Sequence, residues 1–263
     1  MSYIYELKWQ KDHILGDLSD SIEASKLALE LCPQENEKWP VIADKYAGHL
    51  ELRFNETKRP NDIDEAIALS NQAYQRAAND HDHARVAANL GAKYQARARG
   101  SATRAAREQD FNRCVDFMRI TERLTPLRHP ERWLRLRNLS AALIARGKFA
   151  HHPQDLVNAI VHAREALAAV SPLSADRERL VAHLADVLEM HYTETEDPRR
   201  RDLEEINECI RWTREVKFCI SMKTTEGTAL SRYLAGTQSW HCYRGASSSS
   251  TSRRRTLKMP ASR

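Results

Sequence analysis

The residues most able to do chemistry in this chain are its cysteines, histidines and tryptophans, and their spacing gives each little to work with. A nucleophilic thiol needs an activating base beside it. The five cysteines, Cys32, Cys114, Cys209, Cys219 and Cys242, lie far apart with no Cys-x-x-Cys among them, and only Cys242 has an adjacent histidine, His241. They are expected to be reduced thiols, with Cys114 packed as a small hydrophobe, and neither a disulfide framework nor a zinc site. His81-Asp82-His83 and His151-His152 could be imagined as metal ligands. Both are expected in loops, and neither has the His-x-x-x-His spacing that sets two imidazoles on one helix face. Trp9, Trp39, Trp133, Trp212 and Trp240 form no single stripe and read as packing residues. No phosphate-binding loop, dinucleotide fingerprint or Gly-x-Ser-x-Gly occurs, and eight glycines in 263 residues is sparse for Gly-rich loops. The expectation is a protein without catalytic chemistry, cofactor or metal.

What must position these residues is a repeat. Five segments begin with an aspartate followed by an apolar residue, at Asp17-Leu18, Asp62-Ile63, Asp110-Phe111, Asp155-Leu156 and Asp202-Leu203, at spacings of 45, 48, 45 and 47 residues. Each aspartate is suited to cap a helix, with Glu65 and Glu205 completing capping boxes. Ile160, Ala163, Leu167 and Val170 then follow a helical period on one face. A second series lies between: Tyr46-Ala47, Leu90-Gly91, Leu139-Ser140 and Leu184-Ala185, followed four residues later by Leu50, Tyr94, Leu143 and Leu188. Arg53, Arg97, Arg146 and His191 come three residues further on, where a cation suits a helix C-terminus. Pro33, Pro126 and Pro172 mark the ends of the other helices. The unit is two antiparallel helices in about 46 residues, and one such hairpin buries its apolar face only by stacking on others. The fold class is all-α, an α-solenoid.

Charge is unevenly distributed. The last acidic residue is Glu226, and seven positive charges follow it, so a net +5 leaves residues 1–226 at −2. A slightly acidic body argues against nucleic acid, including RNA, whose helical-repeat readers carry a basic groove. The Ser-rich stretch before Arg253-Arg254-Arg255 is expected to be disordered. The longest apolar run, Ala141 to Ala145, is far short of a membrane span, and no signal sequence is evident, so a cytoplasmic or nuclear protein is expected.

Leu90-Gly91 followed by Tyr94, the small residues Ala66, Ala73, Ala159 and Ala166, and Pro33 and Pro126 together resemble the tetratricopeptide (TPR) repeat. The unit is about 10–14 residues longer than a 34-residue TPR, an excess expected in the linker between its helices. The long variant is similar to arrays in fungal proteins that carry a CHAT domain, a caspase-like peptidase module, which about 40 residues after the repeats could not hold. The third unit departs with Cys114 and Thr121 at the small positions, and the fifth with Ile206 and Thr213. The resemblance implies a right-handed superhelix whose first helices line a concave groove for a protein or peptide partner. Carried over position by position, it places Arg85, Gln95, Arg137 and Arg179 in that groove, joined by Asp44, Glu51, Asp186 and Glu189. A row of arginines would hold acidic side chains or a carboxylate.

The organisation expected is therefore a partial first helix over residues 1–16, helical repeats over 17–226, and an interrupted repeat with a basic tail over 227–263. Tyr5-Glu6-Leu7-Lys8 parallels Leu50-Glu51-Leu52-Arg53, as though the chain starts within a first helix. The expected function is a non-catalytic interaction scaffold. The alternatives are a fragment of a longer TPR–CHAT protein or an auxiliary protein of a fungal pathway, with self-association open to it through uncapped repeat ends.

Overall fold

A computed structural model describes residues 15–171 and 174–194, together with 207, 208, 210–212 and 214. The chain divides into two compact units, residues 1–212 and 213–263, and the described residues belong to the first except for Arg214. Outside the described residues lie the partial first helix around Tyr5, Trp9, Pro172, His241, most of the fifth repeat with Asp202, Glu205, Ile206 and Thr213, and the basic tail. Cys209, Cys219, Cys242 and Trp240 also lie there.

The described chain is helical, without a strand among its described residues. Eight helices follow in order: α1 Leu15–Glu30, α2 Trp39–Thr57, α3 Pro60–Gln75, α4 Asp80–Gly100, α5 Arg104–Leu124, α6 Arg132–Ala150, α7 Pro153–Ala168 and α8 Arg177–Glu194. Each packs on its sequence neighbours, and the contacts within α2–α3, α4–α5 and α6–α7 are the most extensive. This pairing of adjacent helices is what an α-solenoid requires.

The apolar series falls where the periodicity puts it. Ile160, Ala163, Leu167 and Val170 are buried, as are Leu50, Leu143 and Leu188. Leu18, Ile22, Tyr46, Ala47, Leu50 and Ala66 form one cluster joining α1, α2 and α3. Trp39, Ala43, Ala73, Val86 and Leu90 carry the core on to α4. The small positions are contact points: Ala66, Ala73, Ala159, Ala166 and Cys114 are fully buried. A Cβ on Gly91 would lie 2.8 Å from Met118 Cε and 3.3 Å from the Cys114 carbonyl oxygen, so its absence lets α4 and α5 approach.

Three expectations need correction. The extra length of the unit is not in the linker: only Lys58-Arg59, Ser101-Ala102-Thr103 and His151-His152 separate the paired helices. It lies in the helices, with 19, 21 and 19 residues in α2, α4 and α6. Lys58 and His151 turn the chain in the left-handed conformation, at φ 58° and 53°, so the turns need no glycine. The repeated aspartates do not cap helices either. Pro60 and Pro153 open α3 and α7, which places Asp62 and Asp155 third in each helix. Thr103 caps α5 by accepting from the Ala106 N–H, well before Asp110. Finally, His81 and His83 lie in the first turn of α4, capped by Asn79, and not in a loop.

Candidate functional site

The repeated arginine and the repeated aspartate are one feature. Arg53 donates through Nε and Nη2 to both carboxylate oxygens of Asp62, at 2.8 and 2.7 Å. Arg97 meets Asp110 in the same way at 3.0 and 2.7 Å, and Arg146 meets Asp155 at 2.8 Å on both arms. The three aspartates are buried, so each fork ties the C-terminal part of a first helix to the N-terminal part of its partner with charge-assisted bonds. The arginines also reach backward: Arg97 Nη1 donates to Asp64 of α3 at 2.8 Å, and Arg146 Nη1 to Asn112 of α5 at 3.3 Å. Each clasp thus closes its own hairpin, and those of Arg97 and Arg146 also grip the preceding one. Glu65 does not close a capping box; it accepts from the Tyr46 hydroxyl at 2.9 Å.

With the clasps accounted for, the surface where α2 meets α4 and where α6 meets α8 holds most of the other groove candidates. Between α2 and α4 it is filled. Arg85 is ion-paired with the buried Asp44, which also accepts from Asn89 Nδ2 at 2.8 Å. Lys93, only 1% exposed, holds its Nζ 3.4 Å from Glu51 Oε2. Burial raises the Glu51 pKa, and Lys93 opposes that shift.

Between α6 and α8 the same positions carry different residues and the face stays open. Matching Tyr46 to Leu139 and Leu90 to Leu184, Asp44 becomes Arg137, Arg85 becomes Arg179, Glu51 becomes Ile144 and Lys93 becomes Val187. An opposite-charge pair has become two arginines, and a lysine–glutamate pair has become two aliphatic residues, so no ion pair forms between these positions. A cleft of about 540 Å³ lies there, with Ala141, Ile144 and Lys148 on the α6 wall and His183, Glu189 and Met190 on the α8 wall. Asp186 and Glu194 also line it.

His183 anchors this cleft. Ser140 donates its hydroxyl to the Ala159 carbonyl oxygen at 2.9 Å, so His183 Nε2, 2.9 Å from Ser140 Oγ, must be the donor in that contact. The chain of bonds ties α8 through α6 to α7, and it leaves Ser140, fully buried, without the geometry of a nucleophile. Burial, helped by the charge on Arg137, lowers the His183 pKa to about 4. Its unfolded value is near 6.5, so the unfolded chain takes up the proton first, and stability present above about pH 6.5 is lost as pH falls toward about 4. The expected loss is about 2–3 kcal/mol. Urea unfolding at about pH 7.5 and about pH 4.5 should show that loss in the wild type and a clearly smaller one in His183→Asn. Equal losses in both proteins would mean that His183 is not held neutral.

The four residues singled out for the groove have different surroundings. Arg85 is engaged by Asp44. Arg179 is exposed and pairs with Asp176 on the preceding turn. Arg137 is half-buried near His183, and its Nε finds no hydrogen-bond partner. Gln95 is half-buried on α4. Glu189 and Asp186, of the companion positions, do line the cleft, whereas Asp44 and Glu51 belong to the α2–α4 bridges. Lys148 and Met190 were not singled out; Ile144 and Val187 in place of a glutamate–lysine pair were the signal for the opening.

The other candidates settle into packing. Cys114 is buried against α4, and burial pushes its thiol up to about 12. Cys32 is half-buried. Trp39 is buried beneath the Arg76 guanidinium at 4.7 Å, Trp133 is half-buried, and Trp212 donates to Glu208 at 3.1 Å. His81 lies 6.3 Å from the His129 ring, and no group of three or more His, Cys, Asp or Glu among the described residues could hold a metal ion. No helix among the described residues is long and apolar enough to cross a membrane.

These features define a class of architecture, an all-helical array of adjacent helix pairs, three of them clasped, with an open cleft between α6 and α8. No protein-family model matches the chain, and no curated protein matches it either.

Proposed function

We propose that this chain is a TPR-like α-solenoid that acts as a non-catalytic protein-interaction scaffold, engaging a partner protein on the face of α2, α4, α6 and α8. The observation that carries the reading is the α6–α8 cleft, an open surface of mixed polar and apolar residues beside the α6–α7 hairpin that the Arg146–Asp155 clasp closes. Pre-organised helix faces of this kind suit peptide or helix recognition. The TPR resemblance supports it through Leu90-Gly91 and Tyr94, and through the small contact residues of α3 and α7. The protein would work in the cytosol and need no cofactor.

Affinity capture from nuclease-treated extract tests this. The full chain should retain a discrete protein partner, and a Gln95→Lys/Glu194→Lys variant of the first-helix face should release it. Val161→Lys, at an exposed position of α7, should keep it. Equal retention by the face variant would overturn the reading, as would loss of the captured partner on nuclease treatment alone.

A further inference from the structure

The bridge between α2 and α4 leaves two of its own atoms unmet. Asp44 Oδ2 accepts from Arg85 Nη1 and, at 2.8 Å, from Asn89 Nδ2. Asp44 Oδ1 and Arg85 Nη2 are the second arms of the same two groups. Both are shut off from solvent and have no hydrogen-bond partner among the described residues. The Asp44 side chain is only 2% exposed, so its second oxygen loses solvent without gaining a donor, a costly state for a buried polar atom. Asp82, in the first turn of α4, lies against the same guanidinium. Its Oδ2 accepts from Asn79 Nδ2 at 3.0 Å. Its Oδ1 is 3.6 Å from Arg85 Nη2 and 3.9 Å from His81 Nδ1, too far for a hydrogen bond to either. Polar groups at such a separation are commonly joined through a water. The two oxygens need hydrogens, and Nη2 needs an acceptor. A bound cation would serve the oxygens and repel the guanidinium, whereas an anion would do the reverse. A partner protein's side chain has no path to two atoms closed off from solvent. Only a molecule that both donates twice and accepts fits.

We propose that the α2–α4 junction is a binding site for one internal water, held by Asp44 Oδ1, Arg85 Nη2 and Asp82 Oδ1. The water accepts from Nη2 and donates one hydrogen to each carboxylate oxygen, matching the about three bonds usual for a buried water. It turns a single-armed ion pair into a closed ring that links α2 to the first two turns of α4. Neither of the other junctions repeats the site. Ala88 and Leu134 stand at the matching positions of α4 and α6, and Arg137 and Arg179 at those of α6 and α8. The inference does not depend on the scaffold reading.

The probe is oxygen-17-enriched water, whose relaxation dispersion counts the internal waters that tumble with the full-length protein. Asp44→Leu combined with Arg85→Met puts apolar groups in place of the ion pair and should lower that count by one. Glu56→Gln, an exposed carboxylate toward the far end of α2, should leave it unchanged. Should the double variant fail to fold, as circular dichroism would reveal, Asp82→Ala serves in its place. That change removes one partner and opens the site, so the water should exchange too fast to be counted. A crystal structure should show the water within hydrogen-bond distance of all three atoms. An unchanged count in the folded variant would overturn the proposal. So would a crystal structure in which Asp44 and Arg85 close a two-armed fork with no water between them.

Discussion

Replacing Arg146 by leucine should lower the unfolding free energy by about 3 kcal/mol, and Asp155→Asn in the same protein should restore most of it. The side chains of Arg146 and Asp155 are only 15% and 7% exposed, and the fork supplies both arms of the carboxylate. Leucine covers the same apolar surroundings but leaves Asp155 charged in a buried place, which is costlier than the net worth of the pair. Asparagine removes that charge while keeping the shape, so the double variant isolates the pairing from the packing. The prediction is checked by urea unfolding followed by circular dichroism. A single-variant loss under about 0.5 kcal/mol would place the clasp with ordinary surface ion pairs. Because Arg146 also donates to Asn112, the loss should loosen the α5–α6 junction as well as the α6–α7 hairpin. In a stack of hairpins that weakening should broaden the transition.

The clasp also shows what a single sequence conveys and where it misleads. Its residues were visible as two periodic series, and so were the helix pairs, the core face and the small contact residues. Their partnership was not visible, because Asp at a helix start and Arg at a helix end each have a sufficient local role, as cap and as dipole partner. Reading the aspartate as a cap had a further consequence. It moved the start of α5 from Arg104 to Asp110 and counted helical residues as linker. Arg104 to Gln109 are mostly good helix formers, and the turns before α3 and α7 use left-handed Lys58 and His151 where a glycine would have signalled a break. The site followed the same pattern. The first-helix face was legible from the register, but whether its charges meet a ligand or each other depends on the neighbouring helix. Arg85 has Asp44 across from it at one junction, whereas its counterpart Arg179 pairs with Asp176 of its own segment.

The second large effect concerns the filled half of that face. Lys93→Met should cost about 3 kcal/mol at about pH 8 and only about 1 kcal/mol at about pH 5. Lys93 is one of the largest fully buried side chains, and its ammonium is set against Glu51, itself largely shielded. Methionine fills nearly the same volume, so the loss is electrostatic and not a cavity. Without the ammonium, the desolvation that already raises the Glu51 pKa acts unopposed by its main lowering influence. The folded pKa then stands further above the unfolded carboxylate value, so the folded state holds the proton more tightly. Stability is therefore greatest at low pH and is lost as pH rises through the folded pKa. Glu51→Gln added to Lys93→Met should remove the pH dependence and recover most of the loss, because two neutral side chains of similar size replace a broken pair. Unfolding curves at the two pH values decide the matter. A penalty of the same size at both would show that Glu51 does not feel the missing charge and that Lys93 acts through its aliphatic stem. A penalty that shrinks on acidification would identify the unpaired Glu51 carboxylate as the source of the loss.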